Sequence, residues 1–431
     1  MSHSELGYEL HTFGCKVNTY DSGLVKKGLE NLVWANFKNH VHILNTCAVT
    51  AEASKEALRI ARRIKSKDPL ALIVVTGCGA QVDTERFAEL PAVDLVVANS
   101  HKGFLPQILE DHFKGKLTQR VFKSNIFKKE DLEPGGGIEE NHSRAFLKIQ
   151  DGCNSFCTYC VIPFARGKSR SLGISDLCRR ANELYALGYQ EVVLTGVHIA
   201  DYEDGEQKKY LEDLVESLLI HTQVPRFRLT SLEPKEVSER LLDLYQDPRM
   251  CPHFHMSIQS ATDLVLQGMK RKYLQKDVQE SLLRITDRVP GVFIGMDVIV
   301  GFPHETDELF AETVQVLSDL PWTKIHVFPY SERPGTKAAM YSSQVPLVER
   351  KHRSQKLREL SLVRYQQELQ KQVGLIKRVL PLDKNSSELV WGLSRDYWNV
   401  QFANWDSSKS SEVLLKIQSA HPEGYLQGVR V

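Results

Sequence analysis

The stretch that decides the fold of this chain is Asp151-Gly-Cys-Asn-Ser-Phe-Cys-Thr-Tyr-Cys. It places Cys153, Cys157 and Cys160 in a CxxxCxxC spacing on one short loop. Three thiolates this close can ligate three irons of a 4Fe-4S cluster, which leaves the fourth iron without a protein ligand. A metal with an open position binds substrate or cofactor, whereas a fully ligated metal is structural. The alternative, a structural zinc site, more often shows two CxxC pairs, which this chain lacks.

The composition is that of a soluble globular protein. The chain has 431 residues, 42% hydrophobic and 25% charged, and its length predicts about three domains. It has no apolar run of about 18 residues and no basic segment followed by an apolar one at its start, so the sequence predicts neither a membrane span nor a secretory signal. We therefore expect a cytoplasmic protein, in which clustered thiols bind metal. The net charge of +1 neither requires nor excludes a nucleic-acid partner.

The first part of the chain, residues 1–125, alternates short apolar segments with helical periodicity, which predicts an open parallel α/β domain. Three more cysteines, Cys15, Cys47 and Cys78, each follow a predicted strand. The carboxyl ends of parallel strands meet at one edge of such a sheet. Considered singly, each cysteine would be interpreted as a small buried hydrophobic residue. Considered together, the three predict a second metal site. Strands are predicted at 8–13, 41–45, 72–76 and 94–98, and helices at 21–32, 51–65 and 83–90.

Residues 126–143 contain a glycine run among charged residues and predict a linker. Residues 144–375 then predict a partial (β/α)6 barrel, in which catalytic groups project from the carboxyl ends of the strands. The loop with Cys153 follows the first of these strands, where such groups are expected. The six strands are predicted at 145–150, 191–195, 227–230, 254–258, 292–300 and 325–328.

The last part of the chain predicts a long helix and a small barrel. The helix is predicted over residues 347–378, with nine Lys or Arg against three Glu. A small all-β barrel is predicted for residues 376–431, a kind of fold that often carries nucleic-acid sites. Basic residues around 350–358, with Lys377, Arg378, Trp391 and Trp398, are the predicted nucleic-acid contacts. The alternative is an ordinary solvated helix with core or surface aromatic residues.

The motifs together resemble a known family. CxxxCxxC after a strand, with an aromatic residue before the third cysteine, resembles the radical S-adenosylmethionine enzymes. Over nearly its whole length the chain resembles the methylthiotransferases, and the C-terminal barrel is similar to the TRAM domain of that family. The stretches that carry the resemblance are Gly14-Cys-Lys-Val-Asn, Asn45-Thr-Cys-Ala-Val-Thr, Val75-Thr-Gly-Cys, Leu194-Thr-Gly-Val-His, Thr230-Ser-Leu-Glu-Pro, His255-Met-Ser-Ile-Gln-Ser, Asp297-Val-Ile-Val-Gly-Phe-Pro and Phe328-Pro-Tyr-Ser-Glu-Arg-Pro-Gly-Thr.

The resemblance implies a tRNA-modifying enzyme that inserts a methylthio group into an adenine C–H bond beside the anticodon. Such a carbon is too unreactive for acid–base chemistry, which accounts for a radical. The resemblance implies two 4Fe-4S clusters, with S-adenosylmethionine as methyl donor and radical source. The resemblance assigns the cluster that binds the cofactor to Cys153, Cys157 and Cys160. It assigns the cluster that delivers sulfur to Cys15, Cys47 and Cys78. It also implies two partners, the tRNA anticodon stem-loop and an electron donor such as flavodoxin or ferredoxin, and it leaves the oligomeric state open.

Five further residues are predicted to bind S-adenosylmethionine. Gly196, Glu233, Gln259 and Gly301 lie at or just past strand ends, where the cofactor is expected, and small residues permit close backbone approach. The alternative for the glycines is ordinary turn chemistry. Arg166 follows the cysteine loop and suits recognition of the cofactor carboxylate; the alternative is a surface ion pair.

Within the family, Gly14-Cys-Lys-Val-Asn most resembles the branch that acts on threonylcarbamoyladenosine in tRNA. Three alternatives stay open. The first is the branch acting on isopentenyladenosine, and the second is the branch modifying a ribosomal-protein aspartate. The third is a non-enzymatic iron–sulfur protein that binds RNA or senses redox state with a single cluster.

Overall fold

Five parallel strands with helices on both faces form the first part of the protein. The computed structural model describes residues 7–30, 32, 40–130, 132, 136, 143–382, 389–403 and 411–431. The strand order is β1-β2-β3-β4-β5, and β2, β3 and β4 are buried throughout, as expected for a parallel sheet covered on two faces. The elements are β1 (Tyr8–Thr12), α1 (Lys16–Leu29), β2 (Val41–Thr46), α2 (Ala51–Lys67), β3 (Leu72–Thr76), α3 (Gly77–Val82), α4 (Thr84–Ala88), β4 (Leu95–Ala98), α5 (Leu105–Phe113) and β5 (Val121–Phe122).

Three helices of this region differ from the prediction, and one of them, α5, was not predicted at all. Helix α1 begins at Lys16 instead of Asp21, because its first turns bury polar side chains such as Asn18 and Asp21, which hides the apolar periodicity. Helix α3 was not predicted either, since it is short and rich in glycine. Gly77 starts it with φ at +94°, where a Cβ would collide with the backbone of Thr46. As a result, Cys15 lies at the start of α1 and Cys78 at the start of α3, instead of in loops.

Six parallel strands form the central part of the protein and confirm the predicted partial barrel. Two three-stranded sheets, β6-β9-β10 and β11-β12-β13, are joined by parallel bridges from Phe227 to Met250 and from Leu232 to Met256. A short antiparallel pair, β7 and β8, closes the cysteine loop. The elements are β6 (Arg144–Lys148), β7 (Gln150–Asp151), α6 (Ile162–Arg166), β8 (Arg170–Ser171), α7 (Ile174–Ala186), β9 (Glu191–Thr195), α8 (Leu211–His221), β10 (Arg226–Leu229), α9 (Glu239–Leu244), β11 (His253–Gln259), α10 (Asp263–Gly268), α11 (Gln275–Arg288), β12 (Phe293–Val300), α12 (Asp307–Asp319) and β13 (Lys324–Pro329).

The long helix ends earlier than predicted. Helix α13 covers Leu347–Gln370, and the chain turns at Gly374, whose φ is +88°. Arg350 and Arg353 are buried against the barrel, where Arg353 pairs with Glu305 at 2.8 Å. The prediction that both arginines bind nucleic acid is therefore wrong, because each guanidinium already forms hydrogen bonds or ion pairs within the protein.

The C-terminal residues form a closed five-stranded barrel, as predicted, with the strand order β14-β15-β16-β18-β17. Trp398 belongs to its core and Lys377 is buried beside Asp396, so neither is available to nucleic acid. Trp391 and Arg378 are exposed. The strands are β14 (Ile376–Pro381), β15 (Leu389–Ser394), β16 (Asn399–Ala403), β17 (Val413–His421) and β18 (Tyr425–Arg430).

The predicted domain boundaries stay predictions. Of the linker over residues 126–143, residue 131 and the segments 133–135 and 137–142 lie outside the described residues. At its start, Ile126–Lys128 forms a 3₁₀ turn beside α6. Among the helices that the structure describes, each is too short or too polar to span a bilayer.

Candidate active site

The structure brings Cys15, Cys47 and Cys78 together at the carboxyl edge of the N-terminal sheet. Cys15 is the N-cap of α1, Cys47 follows β2, and Cys78 lies in the first turn of α3. All three line a cavity of about 620 Å³. The neighbouring Gly14 has φ at +91°, and a Cβ there would lie 2.6 Å from the Sγ atom of Cys47. The close approach of these segments therefore requires glycine.

The chemistry of these three thiols fits an iron–sulfur cluster. All are free of disulfides. Burial and the neighbouring thiols of Cys78 and Cys15 raise the pKa of Cys47 to about 12. Three thiolates at this spot would repel one another in a poorly hydrated place, and bound iron would remove that cost while taking soft sulfur ligands.

The second set of cysteines lies on the loop between β7 and α6. Backbone hydrogen bonds hold this loop, from the N–H of Cys153 to Gly167 at 3.1 Å and from the N–H of Cys160 to Cys157 at 3.0 Å. Gly152 starts the loop with φ at +76°, and a Cβ there would collide with the carbonyl of Lys168. These thiols are free as well. Three soft ligands on a loop of fixed shape fit the open-iron cluster described above.

Two polar side chains from distant parts of the barrel contact these cysteines. The Nδ1 atom of His198 lies 4.0 Å from the Sγ atom of Cys153, and Nη1 of Arg271 donates to the Sγ atom of Cys157 at 3.6 Å. Burial alone would raise the pKa of Cys153, but His198 and the N–H of Ser155 lower it below its usual value. Burial raises the pKa of Cys160 to about 12.

Sequence reasoning missed Arg271 and singled out His198 only as part of a family stretch. No motif spacing indicated Arg271, because it reaches Cys157 only through the fold of the barrel. His198 lies in the stretch Leu194-Thr-Gly-Val-His, which the family resemblance already included. Its Nδ1 atom is 3.2 Å from a carboxylate oxygen of Asp201, and its Nε2 atom contacts Glu236. Burial would lower the pKa of His198, but these partners raise it well above the usual range.

The residues predicted to bind S-adenosylmethionine occupy different surroundings. Gly196 lines the cavity, and a Cβ there would lie 2.9 Å from the side chain of Gln150. Glu233 pairs with Arg271, and Gln259 ends β11 with φ at +61°. Gly301 has φ at +70° and packs against Arg350 of α13, which explains the glycine by close packing. The cofactor contacts of all four stay predictions.

Arg166 is buried in an ion network between the N-terminal sheet and the barrel. Its guanidinium pairs with Asp21 and Asp151, each at 2.9 Å, and its Nε atom donates to the Sγ atom of Cys78 at 3.2 Å. Lys148 also pairs with Asp21, at 2.6 Å. The alternative of a surface ion pair is wrong because Arg166 is only 3% exposed. A contact with the cofactor carboxylate stays a prediction.

The floor of the cavity is formed by the barrel. Thr195 and Thr230 come from the carboxyl ends of β9 and β10, while His255 and Asp297 lie deeper. The Nε2 atom of His255 is 2.8 Å from a carboxylate oxygen of Asp297. One cavity thus lies between the three N-terminal cysteines and the strand ends beside the second cysteine loop. Such a cavity can hold a substrate beside the three N-terminal cysteines.

Comparisons with known proteins identify the fold and the family. The Radical SAM superfamily model matches residues 147–317, and the model described as Uncharacterized protein family UPF0004 matches residues 7–98. The radical S-adenosylmethionine methyltransferase TsrM of Kitasatospora setae covers 75% of this chain and 68% of its own, with a TM-score of 0.53 and 16% identity. That likeness shows the fold alone. The fold and the cysteine loop together define a radical SAM protein.

Curated relatives show to which family of radical SAM proteins the chain belongs. The threonylcarbamoyladenosine tRNA methylthiotransferase MtaB of Aquifex aeolicus is 36% identical over 87% of this chain and 92% of its own. The protein of the same name from Bacillus subtilis is 31% identical over 98% of this chain and 96% of its own. A tRNA-2-methylthio-N(6)-dimethylallyladenosine synthase of Staphylococcus epidermidis is 31% identical over 86% of this chain and 74% of its own. The chain belongs to the radical SAM methylthiotransferase family, whose superfamily uses S-adenosylmethionine and a 4Fe-4S cluster.

Proposed function

We propose that this protein inserts a methylthio group into the adenine ring of threonylcarbamoyladenosine beside the anticodon of tRNA. The observation that carries the proposal is the cavity that Cys15, Cys47 and Cys78 line together with barrel residues and with Ile162, which follows the second cysteine loop. The choice of nucleoside rests on five curated relatives, 31–36% identical, that carry the name threonylcarbamoyladenosine tRNA methylthiotransferase. Relatives named for dimethylallyladenosine make that nucleoside the second candidate.

The two cysteine sets have different roles in this proposal. Cys153, Cys157 and Cys160 hold the 4Fe-4S cluster that binds S-adenosylmethionine. Cys15, Cys47 and Cys78 hold the second 4Fe-4S cluster. When bound, these groups supply the radical that activates an adenine C–H bond and the methylated sulfur that replaces its hydrogen.

The protein's own side chains hold and flank the cofactor loop. His198 and Arg271 fix the sulfur atoms of Cys153 and Cys157 by direct contact. Phe156 packs with Phe127 and Phe164, with ring centroids 6.2 and 6.1 Å away. Phe156 and Phe164 are 38% and 43% exposed, so this cluster presents an apolar surface beside the cofactor loop. Gly196, Glu233, Gln259 and Gly301 are the proposed neighbours of S-adenosylmethionine.

The partners in this proposal are the tRNA anticodon stem-loop and a small electron donor such as flavodoxin or ferredoxin, and the protein acts in the cytoplasm. The TRAM-like barrel and the exposed cations of α13, such as Lys351 and Lys356, form the proposed tRNA grip. Binding through phosphates releases counterions, so we expect tRNA affinity to fall steeply as salt rises. Affinity that does not change with salt would contradict this part of the proposal.

Mass spectrometry of tRNA nucleosides tests the proposed substrate. We expect methylthio-threonylcarbamoyladenosine to vanish from a strain lacking the gene and to return on complementation, while the isopentenyl counterpart is unchanged. Loss of the methylthio group from the isopentenyl nucleoside instead would favour the second candidate. No change in either nucleoside would refute the tRNA assignment.

Single cysteine variants test the cluster assignments. In reconstituted wild-type protein we expect about eight irons per chain, and about four in Cys157→Ala and in Cys47→Ala. Cys157→Ala loses 5′-deoxyadenosine formation, and Cys47→Ala loses sulfur insertion. Cys178→Ala is the matched control, because Cys178 is a buried thiol of α7 that packs in the apolar core. Iron loss in the control, or turnover in either ligand variant, would contradict the assignments.

A further inference from the structure

The cavity contains one cation whose charge the protein leaves unpaired. Lys16 follows Cys15 and lines the cavity with the barrel residues His255 and Asp297. Within the described part of the chain, no hydrogen bond or ion pair reaches its ammonium group. Lys16 is half-buried, and charged groups that are withdrawn from water are normally paired. An unpaired ammonium in a substrate cavity is therefore a place for an anion supplied by the ligand.

The neighbouring carboxylates are already engaged. Glu191 pairs with Arg144 at 2.7 Å, Arg226 at 2.7 Å and Arg228 at 3.0 Å. Asp297 pairs with His255 at 2.8 Å. The arginines thus occupy the carboxylate of Glu191, which leaves the ammonium of Lys16 available to an incoming carboxylate.

We propose that Lys16 selects the substrate by pairing with the carboxylate of the threonylcarbamoyl group. This inference rests on the function proposed above and extends it to the choice of nucleoside. The threonylcarbamoyl group ends in a carboxylate, whereas a dimethylallyl group is purely apolar. A lysine without a counter-charge discriminates between the two because the apolar group leaves the ammonium buried and unpaired.

Substrate competition with a charge-removing variant tests Lys16. Anticodon stem-loops with threonylcarbamoyladenosine or unmodified adenosine are compared for binding to holoprotein. We expect wild type to prefer the threonylcarbamoyl form, and Lys16→Gln to reduce that preference about 10- to 100-fold with unchanged iron content. Lys16→Arg should restore part of the preference, and Lys27→Gln, on the exposed face of α1, should leave it unchanged.

The outcomes separate the two proposals. If wild type neither binds nor modifies the threonylcarbamoyl form, the proposed function fails. If wild type prefers that form and Lys16→Gln keeps the full preference, only the role of Lys16 is overturned. Weaker binding of both stem-loops by the same factor would also overturn it, because a general loss is not selection.

A second, independent observation concerns the edge of the N-terminal sheet. Glu9 and His11 lie on one face of β1, which pairs with the rest of the sheet only through β2. His42 is opposite Glu9, and His40 precedes it by two residues, so all four side chains share that face. The rings of His40 and His42 are 4.8 Å apart.

The distances among these groups are those of a metal site. The Nε2 atom of His11 is 3.2 Å from Nδ1 of His42. Oxygen atoms of Glu9 lie 3.5 Å from His11 and 3.4 Å from His42. Ligands bonded to zinc at 2.0–2.1 Å in tetrahedral geometry are about 3.3–3.4 Å apart. His40 supplies a further ligand atom within 4.8 Å of those of Glu9 and His42.

We infer that Glu9, His11, His40 and His42 bind a divalent transition metal, with Zn²⁺ as the fitting ion. Imidazole and carboxylate ligands suit zinc, and metal binding requires neutral imidazoles. A metal here ties β1, which leads to Cys15, to β2, which leads to Cys47.

Metal analysis of the holoprotein tests this site, since filled clusters keep the six cysteines from binding zinc. After exposure to Zn²⁺ and gel filtration, we expect one zinc per chain in wild type and in His221→Ala/His352→Ala, whose histidines are exposed elsewhere. We expect no zinc in His11→Ala/His42→Ala, with iron content unchanged, and a Zn²⁺-dependent rise in melting temperature only where zinc binds. Equal zinc in all three proteins, or none in wild type, would overturn the inference.

Discussion

At the scale of single residues, Arg166 joins the two halves of the active site. It contacts the sulfur of Cys78 and two aspartates, Asp21 from α1 and Asp151 from β7. Burial would lower the pKa of Arg166, but the Cys78 thiol and both carboxylates raise it well above its usual range. The guanidinium therefore stays charged, and both carboxylates depend on it for compensation.

Removing this charge should destabilise the protein strongly. We expect Arg166→Gln to lower the free energy of unfolding by about 3–5 kcal/mol, because Asp21 and Asp151 would remain buried with fewer partners. Urea unfolding followed by circular dichroism measures the change. Arg179→Gln is the control, since Arg179 forms only exposed ion pairs on α7. Equal effects of the two substitutions would contradict a special role for Arg166.

Arg271 offers a second test at the residue scale. Its side chain pairs with Glu233 and reaches the sulfur of Cys157. We expect Arg271→Gln to lose about half of the bound iron, because both the loop cysteine and Glu233 lose their partner. Iron content and the visible spectrum measure this, and Arg284→Gln on the exposed side of α11 is the control. Full iron content in Arg271→Gln would show that the contact does not hold the loop.

At the scale of secondary-structure elements, the outer surface of the C-terminal barrel presents aromatic side chains. Trp391 of β15 is 42% exposed, and its ring lies 4.8 Å from that of Tyr425 on β18. Tyr425 in turn stacks on His421 at 4.2 Å. Exposed aromatic rings of this kind stack on unpaired bases.

We predict that the exposed Trp391 of β15 contributes measurably to tRNA binding. We expect Trp391→Ala to weaken tRNA binding by about 1–3 kcal/mol, the usual cost of losing one stacked base. Fluorescence anisotropy with labelled tRNA measures the dissociation constant. Leu389→Ala, exposed on the same strand, is the matched control and should bind normally. Identical affinities for the two variants would place tRNA elsewhere.

At the scale of the whole molecule, buried ion pairs connect the N-terminal sheet to the barrel. Lys148 and Arg166 come from the barrel side, and Asp21 comes from α1. Burial would raise the pKa values of Asp21 and Asp151, but the surrounding lysines and arginines lower both well below the usual range. The junction is therefore sensitive to acid.

The direction of this sensitivity follows from proton uptake. In the unfolded chain these carboxyls titrate near pH 4, so they take up protons before the folded state does. Their stabilisation is complete above about pH 5 and is lost as the pH falls towards the folded-state pKa. We expect Asp21→Asn to be less stable than wild type at pH 7 and to lose less stability between pH 5 and 3. Urea unfolding of cluster-free protein, with the exposed Asp287→Asn as control, tests this. If the stability of Asp21→Asn fell between pH 5 and pH 3 as steeply as that of wild type, this prediction would be refuted.

Local patterns in the sequence predicted most of the fold and the cysteines of both sites. Alternating strands and helices dictate a parallel sheet and a partial barrel, and residues after parallel strands must meet at one edge. Helix α1 was placed too late because its buried side chains are polar. The arginines of α13 and the indole of Trp398 were assigned to nucleic acid because composition does not reveal burial.

The sequence by itself determined the family, the fold class and the grouping of the six cysteines into two sets, because each depends on local spacing or on short motifs. Only the tertiary structure decided which side chains contact those cysteines. Arg166 lies 88 residues from Cys78 in the chain, and Arg271 lies 114 residues from Cys157. Such pairs form only when helices and sheets pack, so no local pattern encodes them. The same packing left the ammonium of Lys16 unpaired in the cavity and brought His11 and His42 together across two strands.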